Sequence, residues 1–236
     1  DGRSGFAHLF EHMMFQGSDN VERTQHFELI SAAGGWSNAS TGRDRTNYFQ
    51  ALPAHQLPVA LWLEADRMAS LVVDEANFIR ERQVVIEEYR QRVANQPYGE
   101  ALLALQTLPF DYVPYQRPVI GSVEDLNAAT VQEVRDFHST YYLPNNATLV
   151  VAGDIDEDLT REMIDDFFSA IPAGDDLPQP EAYTPQAETE AERITIEDPL
   201  ARVPALLISS IIPPRNHPDS PALALLASIL AGGDSS

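Results

Sequence analysis

Two histidines and a glutamate stand together in His8-Leu9-Phe10-Glu11-His12. On a helix, residues four apart lie one turn from each other on the same face, with Glu11 beside them. Two imidazoles at that spacing can bind a single Zn²⁺ through bonds of about 2.0–2.1 Å. The adjacent carboxylate can take a proton from a water on that metal. The spacing therefore offers both ligation and a general base. The plain alternative is a chance grouping on a surface helix, and a chance match to so specific a pattern is rare.

A catalytic zinc needs a third protein ligand and an open position for water. The candidate lies in Glu81-Arg82-Gln83-Val84-Val85-Ile86-Glu87-Glu88. Glu81 and Glu88 are two turns apart and project from one helix face, whereas Glu87 points elsewhere. Glu88 suits a ligand, and Glu81 can stand behind it to orient a histidine or the water. Without the first motif, this stretch reads as an ordinary solvated helix.

The elements that must position these groups follow from periodicity. Residues 7–15 alternate apolar and polar at helical spacing, and residues 22–33 form a second helical stretch stopped by Gly34-Gly35. Residues 36–52 look extended, with Thr46, Tyr48 and Phe49 as strand formers and Pro53 as terminator. Apolar residues at three and four make 57–71 an amphipathic helix. Residues 74–108 predict a long helix, a break at Pro97-Tyr98-Gly99 and a second helix. Helices are expected at 130–142, where Thr130 and Glu133 fit a capping box, and at 159–170. Ala147-Thr-Leu-Val-Val-Ala152 reads as a short buried strand. Residues 172–192 are rich in Pro, Asp, Glu, Gln and Thr, the chemistry of a linker. Residues 193–212 look like strands of a new domain, and 221–230 like a helix.

Composition narrows the chemistry. The chain has 236 residues, 44% of them apolar, enough for a sizeable core. It lacks cysteine, so a metal must be held by His and carboxylates. Its 36 acidic side chains outnumber 15 basic ones, all arginine, for a charge of −21. Nucleic acid and anionic membranes demand a basic patch, so neither is an expected partner. No apolar run approaches the roughly 20 residues of a transmembrane helix.

The zinc motif with a glutamate 76 positions beyond His12 resembles the pitrilysin/insulinase family of zinc metallopeptidases, the inverted-motif enzymes. The likeness extends to Gly5-Phe6-Ala7 and Met13-Met14-Phe15-Gln16-Gly17-Ser18 flanking that motif. Gly34-Gly35-Trp36-Ser37-Asn38-Ala39-Ser40-Thr41, with Asp44, Thr46 and Tyr48, is similar to the family's glycine turn and edge strand. Pro118-Val119-Ile120-Gly121, residues 141–147 and Val150-Val151-Ala152-Gly153-Asp154 resemble later blocks. The likeness covers essentially the whole chain and leans towards the processing-peptidase-like bacterial branch.

This resemblance implies an α+β fold of the LuxS/MPP-like metallohydrolase type, an antiparallel or mixed sheet packed with helices. With the composition shift, it implies a catalytic domain over 1–171 lacking its first strand. A linker over 172–192 and the truncated start of a similar domain over 193–236 would follow. The implied function is a zinc-dependent endopeptidase acting on oligopeptides or unfolded segments. His8, His12 and Glu88 would hold zinc, Glu11 would activate a zinc-bound water, and Glu81 would assist from behind. Residues 36–49 would be an edge strand to which an extended substrate adds. Asn38 and Ala39 match the family's substrate-contacting positions, and Phe15 a residue lining the pocket before the scissile bond. Plain structural roles for these are a strand residue and core packing. Trp36 lines the cleft or is a buried aromatic.

The family completes its site with an Arg and a Tyr from a second half or partner subunit, and those positions lie beyond Ser236. A homo- or heterodimer is therefore an open expectation, as is poor hydrolysis by the isolated chain. One rival reading is a non-catalytic or scaffold subunit of the same architecture, against which the complete His8, Glu11, His12 and Glu88 set argues. Another is an esterase-like hydrolase, against which the edge-strand signature argues. Cysteine-free bacterial relatives suggest a periplasmic or otherwise extracytoplasmic location, with the cytoplasm as alternative. His26, His55, His138 and His217 lack partners at metal spacing and are expected on surfaces or helix faces. Asp154-Ile155-Asp156-Glu157-Asp158 lacks EF-hand spacing and suits a solvated helix start.

Overall fold

In a computed structural model, residues 2–179, 182–184 and 192–232 are described. The chain enters its first helix, α1 (Phe6–Met13), through Gly5. Then come α2 (Gln25–Ala32), the hairpin β1 (Trp36–Thr41) and β2 (Thr46–Ala51), and α3 (Leu57–Ser70). The long α4 (Glu75–Tyr89) starts at Asp74, whose side chain accepts the Asn77 N–H at 2.7 Å. It ends in a single π turn, Arg90–Ala94. The remaining helices are α5 (Gly99–Thr107), α6 (Val123–Ala128), α7 (Val131–Tyr141), α8 (Glu157–Phe168) and α9 (Ser220–Ala231). Helices and a small antiparallel sheet make an α+β fold, and the capping box at Thr130 and Glu133 is present.

The chain divides into two units. The first comprises residues 1–95 and 117–180. Its core joins Leu9, Phe10 and Met13 of α1 to Phe78, Val85 and Ile86 of α4, with Leu126 and Val134 closing one side. Burying each such side chain contributes about 1.5–3 kcal/mol. The buried positions of α1 recur at three and four, which leaves His8, Glu11 and His12 on the opposite stripe. Val21, Ile30 and Leu63 form a satellite cluster. The hairpin runs in register from Trp36↔Ala51 to Thr41↔Thr46, so Ser37, Ala39, Thr41, Thr46, Tyr48 and Gln50 share one face. Those six are half-buried, whereas Trp36, Asn38 and Phe49 stand on the exposed face.

The second unit comprises residues 96–116 and 181–236. Tyr98 ties it together, donating its N–H to Asp198 at 2.5 Å and its hydroxyl to the Val203 carbonyl at 2.7 Å. Tyr112 stacks on Tyr183 with ring centroids 4.5 Å apart. The expected linker at 172–192 is described except for 180, 181 and 185–191, which lie outside the described residues, as do 233–236 of the expected second domain.

Three expectations change. Residues 147–152 form no strand and are mostly exposed, with Val150 at 78%. The described residues of 193–212 form no strand either. An apolar extended run becomes a strand only when a neighbour takes its backbone groups, and neither run has one among the described residues. The short α6 was not expected; Ser122 starts it by accepting the Asp125 N–H at 3.1 Å.

The turn into α1 requires glycine. Gly5 has φ +82°, and a Cβ there would meet Gly121 Cα at 2.7 Å and the Ile120 carbonyl at 2.8 Å. Left-handed backbone costs a side-chain-bearing residue about 1–2 kcal/mol, and overpacking about 1–3 more. Gly5→Ala is therefore expected to lower the unfolding free energy by about 2–5 kcal/mol in urea titration. A loss below about 1 kcal/mol would contradict this packing.

Candidate metal centre

α1 and α4 carry the site across their shared core. Packing of Phe10 and Met13 against Val85 and Ile86 turns the polar stripe of α1 towards the Glu81–Glu88 face of α4. One ligand atom each from His8, His12 and Glu88 lies within 4.8 Å of the others, the only such group among the described residues. Glu88 Oε2 sits 3.6 Å from His8 Nε2 and 3.4 Å from His12 Nε2. A tetrahedral zinc with bonds of about 2.0–2.1 Å separates its ligand atoms by about 3.4 Å. The three side chains therefore fit zinc in both donor type and spacing.

The surroundings fix these ligands unequally. Glu81 is buried, and its Oε2 lies 3.5 Å from His12 Nδ1, leaving Nε2 turned towards Glu88. His8 Nδ1 is buried without a hydrogen-bond partner. Arg92, from the π turn, donates to Glu88 Oε1 at 2.6 Å, so only Oε2 faces the histidines. Burial holds the His8 imidazole below its ordinary pKa despite the pull of Glu88. Burial also works against the charge on His12, but the Glu81 hydrogen bond and the charges of Glu88, Glu81 and Glu11 outweigh it and raise that pKa.

Glu11 stands on the same stripe, where its Oε2 accepts a hydrogen bond from Thr41 Oγ1 of β1. Neither Thr41 nor Arg92 was singled out in the sequence. Arg92 is at i+4 from Glu88, a helical spacing that could have exposed it. Thr41 follows Ser37 and Ala39 in strand alternation, but nothing local names Glu11 as its partner.

The expected substrate-binding residues are distributed differently. Asn38 is exposed on the hairpin, its Oδ1 accepting the Ala39 N–H at 2.8 Å. Ala39 is half-buried on the opposite face. Phe15 is buried against Phe27, ring centroids 4.6 Å apart, with the Arg67 guanidinium 5.1 Å from its ring. With Met14, Val21, His26 and Leu63 it lines a small cavity. Trp36 is 58% exposed and meets Phe49 edge-on.

The other histidines divide. His55 and His217 are exposed, and His138 is half-buried between Phe10 and Tyr142. His26 takes the helix-face alternative: it is buried on α2, edge-on to Phe15 and Phe27, where aromatic residues from the loop and α2 close against it. Burial first, and the Arg67 charge second, lower its pKa to about 3. Unfolded, it titrates near 6.5, so between those values the unfolded chain binds a proton that the folded one refuses. Its stability contribution is complete above pH 6.5 and falls by up to about 1.4 kcal/mol per pH unit towards pH 3. Urea titrations at pH 7 and pH 4.5 are expected to show a smaller acid loss in His26→Gln than in the parent. Equal losses would contradict a buried neutral His26. Within the acidic run at 154–158, Asp156 caps α8, accepting the Leu159 N–H at 3.0 Å.

Comparison with known proteins follows the same residues. Residues 1–118 match the family described as Insulinase (Peptidase family M16), and residues 128–236 the one described as Peptidase M16 inactive domain. The zinc protease PqqE of Helicobacter pylori is 32% identical over 236 residues, covering 100% of this chain and 53% of that protein. The crystal structure of a protease from Helicobacter pylori superposes with a TM-score of 0.72 and 35% identity, over 78% of this chain and 44% of that one. The periplasmic protease PqqL from Escherichia coli gives 0.69 and 26%, over 80% and 21%. The chain thus spans about half the length of the curated relative, or less of the solved ones.

Proposed function

Since the chain belongs to the insulinase family, peptidase family M16, we propose that it is a zinc-dependent endopeptidase acting on oligopeptides or unfolded segments. The observation that carries the reading is the convergence of His8, His12 and Glu88 beside Glu11. All four lie in residues 1–118, the part matching the peptidase description rather than the inactive-domain one.

His8, His12 and Glu88 would hold the metal, with Glu81 orienting His12 and Arg92 orienting Glu88. Zinc, when bound, supplies a Lewis acid that brings the pKa of the attacking water towards neutrality and polarises the scissile carbonyl. Glu11 would take a proton from the attacking water and pass it to the departing amine. The edge of β1 away from β2 carries no strand among the described residues, so an extended peptide can add there through its main chain. Asn38 and Ala39 then meet the substrate backbone, with the Asn38 amide leaving the Ala39 N–H that it now occupies. Phe15 borders the subsite before the scissile bond.

A second half or a partner subunit would supply an Arg and a Tyr. The coverage of about half of PqqE supports that reading. An extracytoplasmic location is supported by the PqqL neighbour, which is named as periplasmic. Among the described residues no helix is long and apolar enough to cross a membrane. The complete ligand set disfavours a non-catalytic subunit.

The test uses the full-length protein and an unstructured fluorogenic peptide. Hydrolysis is expected to fall to background after treatment with a zinc chelator and to return on adding one equivalent of Zn²⁺. A rate indifferent to chelation would refute the metal mechanism.

A further inference from the structure

We propose that Thr41 is a positioning residue for the general base, holding one oxygen of Glu11 so that the other faces the reacting water. The inference rests on the reading of Glu11 as base, and its contact is independent of that reading. Thr41 ends β1 on the inward face, and its hydroxyl donates to Glu11 Oε2. A hydroxyl has one proton to give, and a carboxylate can only accept. Thr46 lies directly across the hairpin, with its Oγ1 3.3 Å from Thr41 Oγ1. Because the Thr41 proton points at Glu11, Thr46 is the donor in that second contact.

Behind Thr46 stands a further hydroxyl pair. The Tyr142 phenol interacts with Thr46 and lies 2.8 Å from the Tyr48 hydroxyl. Burial keeps both phenols above their ordinary pKa, so they remain donors. The hydroxyls of Thr46, Tyr142 and Tyr48 therefore stand in a row behind Thr41. Tyr48 is itself held by the Arg67 guanidinium, 4.6 Å from its ring centroid. The hairpin thus does two things at once: its outer edge, which no strand occupies among the described residues, can take a peptide, and its inward face fixes the base. Oε1 of Glu11 is the oxygen left to accept a proton. Thr41 is for Glu11 what Arg92 is for Glu88, a donor that occupies one carboxylate oxygen and leaves the other for the reaction.

The test compares Thr41→Val, which keeps the shape and loses the hydroxyl, with Thr41→Ser, which keeps the hydroxyl. The first readout is the side-chain carboxylate ¹³C resonance of Glu11 in the metal-free protein, assigned with Glu11→Gln. It is expected to move in Thr41→Val and to stay near the parent position in Thr41→Ser. The second is steady-state kinetics of the zinc-loaded full-length protein. There Thr41→Val is expected to lose about 10–100-fold in kcat with KM and zinc content unchanged, the scale for removing such a supporting partner. Thr41→Ser is expected to stay within about threefold. An unmoved resonance in Thr41→Val would overturn the proposal, as would equal impairment of both variants or a loss confined to KM. If Thr41→Val fails to fold, Thr41→Ala decides: a Glu11 resonance moved from the parent position supports the contact and an unmoved one overturns it. If the zinc-loaded parent cleaves no peptide, the peptidase reading fails, and the resonance still decides whether Thr41 holds Glu11.

Discussion

Glu11→Gln is expected to retain the parent's full zinc content and to lose about 10²–10⁴-fold in kcat, the range for removing a positioned general base. The amide has the shape of the carboxylate, and its oxygen can still accept from Thr41, so the geometry around α1 and β1 survives. What disappears is basicity. Zinc would remain on His8, His12 and Glu88, because Glu11 is not among the three converging ligands. Metal analysis and peptide kinetics on the same preparation check the two halves of the expectation. A variant that binds zinc and cleaves as fast as the parent would remove Glu11 from the mechanism.

Glu88→Ala is expected to behave differently, losing the metal and turnover together. Its Oε2 is the atom shared by both histidines, at 3.6 and 3.4 Å, so its removal leaves two imidazoles without the anionic donor. Loss of a supporting partner alone costs about 10–100-fold in affinity, and loss of a ligand should exceed the upper end of that range. Competition against a chelating dye measures it. Arg92→Ala, which leaves the ligand but removes the donor to Oε1, should fall within that range. An affinity within tenfold of the parent in Glu88→Ala would show that the third ligand lies elsewhere.

Much of this architecture was legible locally. The helical spacing of the apolar residues marks α1 and α3, the stretch free of Gly and Pro marks α4, and the capping box places the start of α7 at Thr130. The grouping of His8, Glu11 and His12 on one face needs nothing beyond 3.6 residues per turn. Contacts across the core were less accessible. Glu81, Glu87 and Glu88 look alike in sequence; which of them reaches α1 depends on Phe10 and Met13 meeting Val85 and Ile86. The same holds for Thr41, whose partner lies thirty positions earlier. For His26 the spacing left surface and helix face equally open, because its cover, Phe15 and Phe27, comes together only on folding. The runs at 147–152 and 193–212 have strand composition, yet pairing is not a property of one segment, and the described residues supply none.

Binding of a single zinc by His8, His12 and Glu88 is open to direct observation. The most direct measurement is a crystallographic anomalous difference map of the zinc-loaded protein, recorded on both sides of the zinc absorption edge. One strong peak is expected, bonded to the Nε2 atoms of His8 and His12 and to Oε2 of Glu88, with Glu81 and Arg92 outside the coordination sphere. A peak bonded to other side chains, or no peak between α1 and α4, would contradict it.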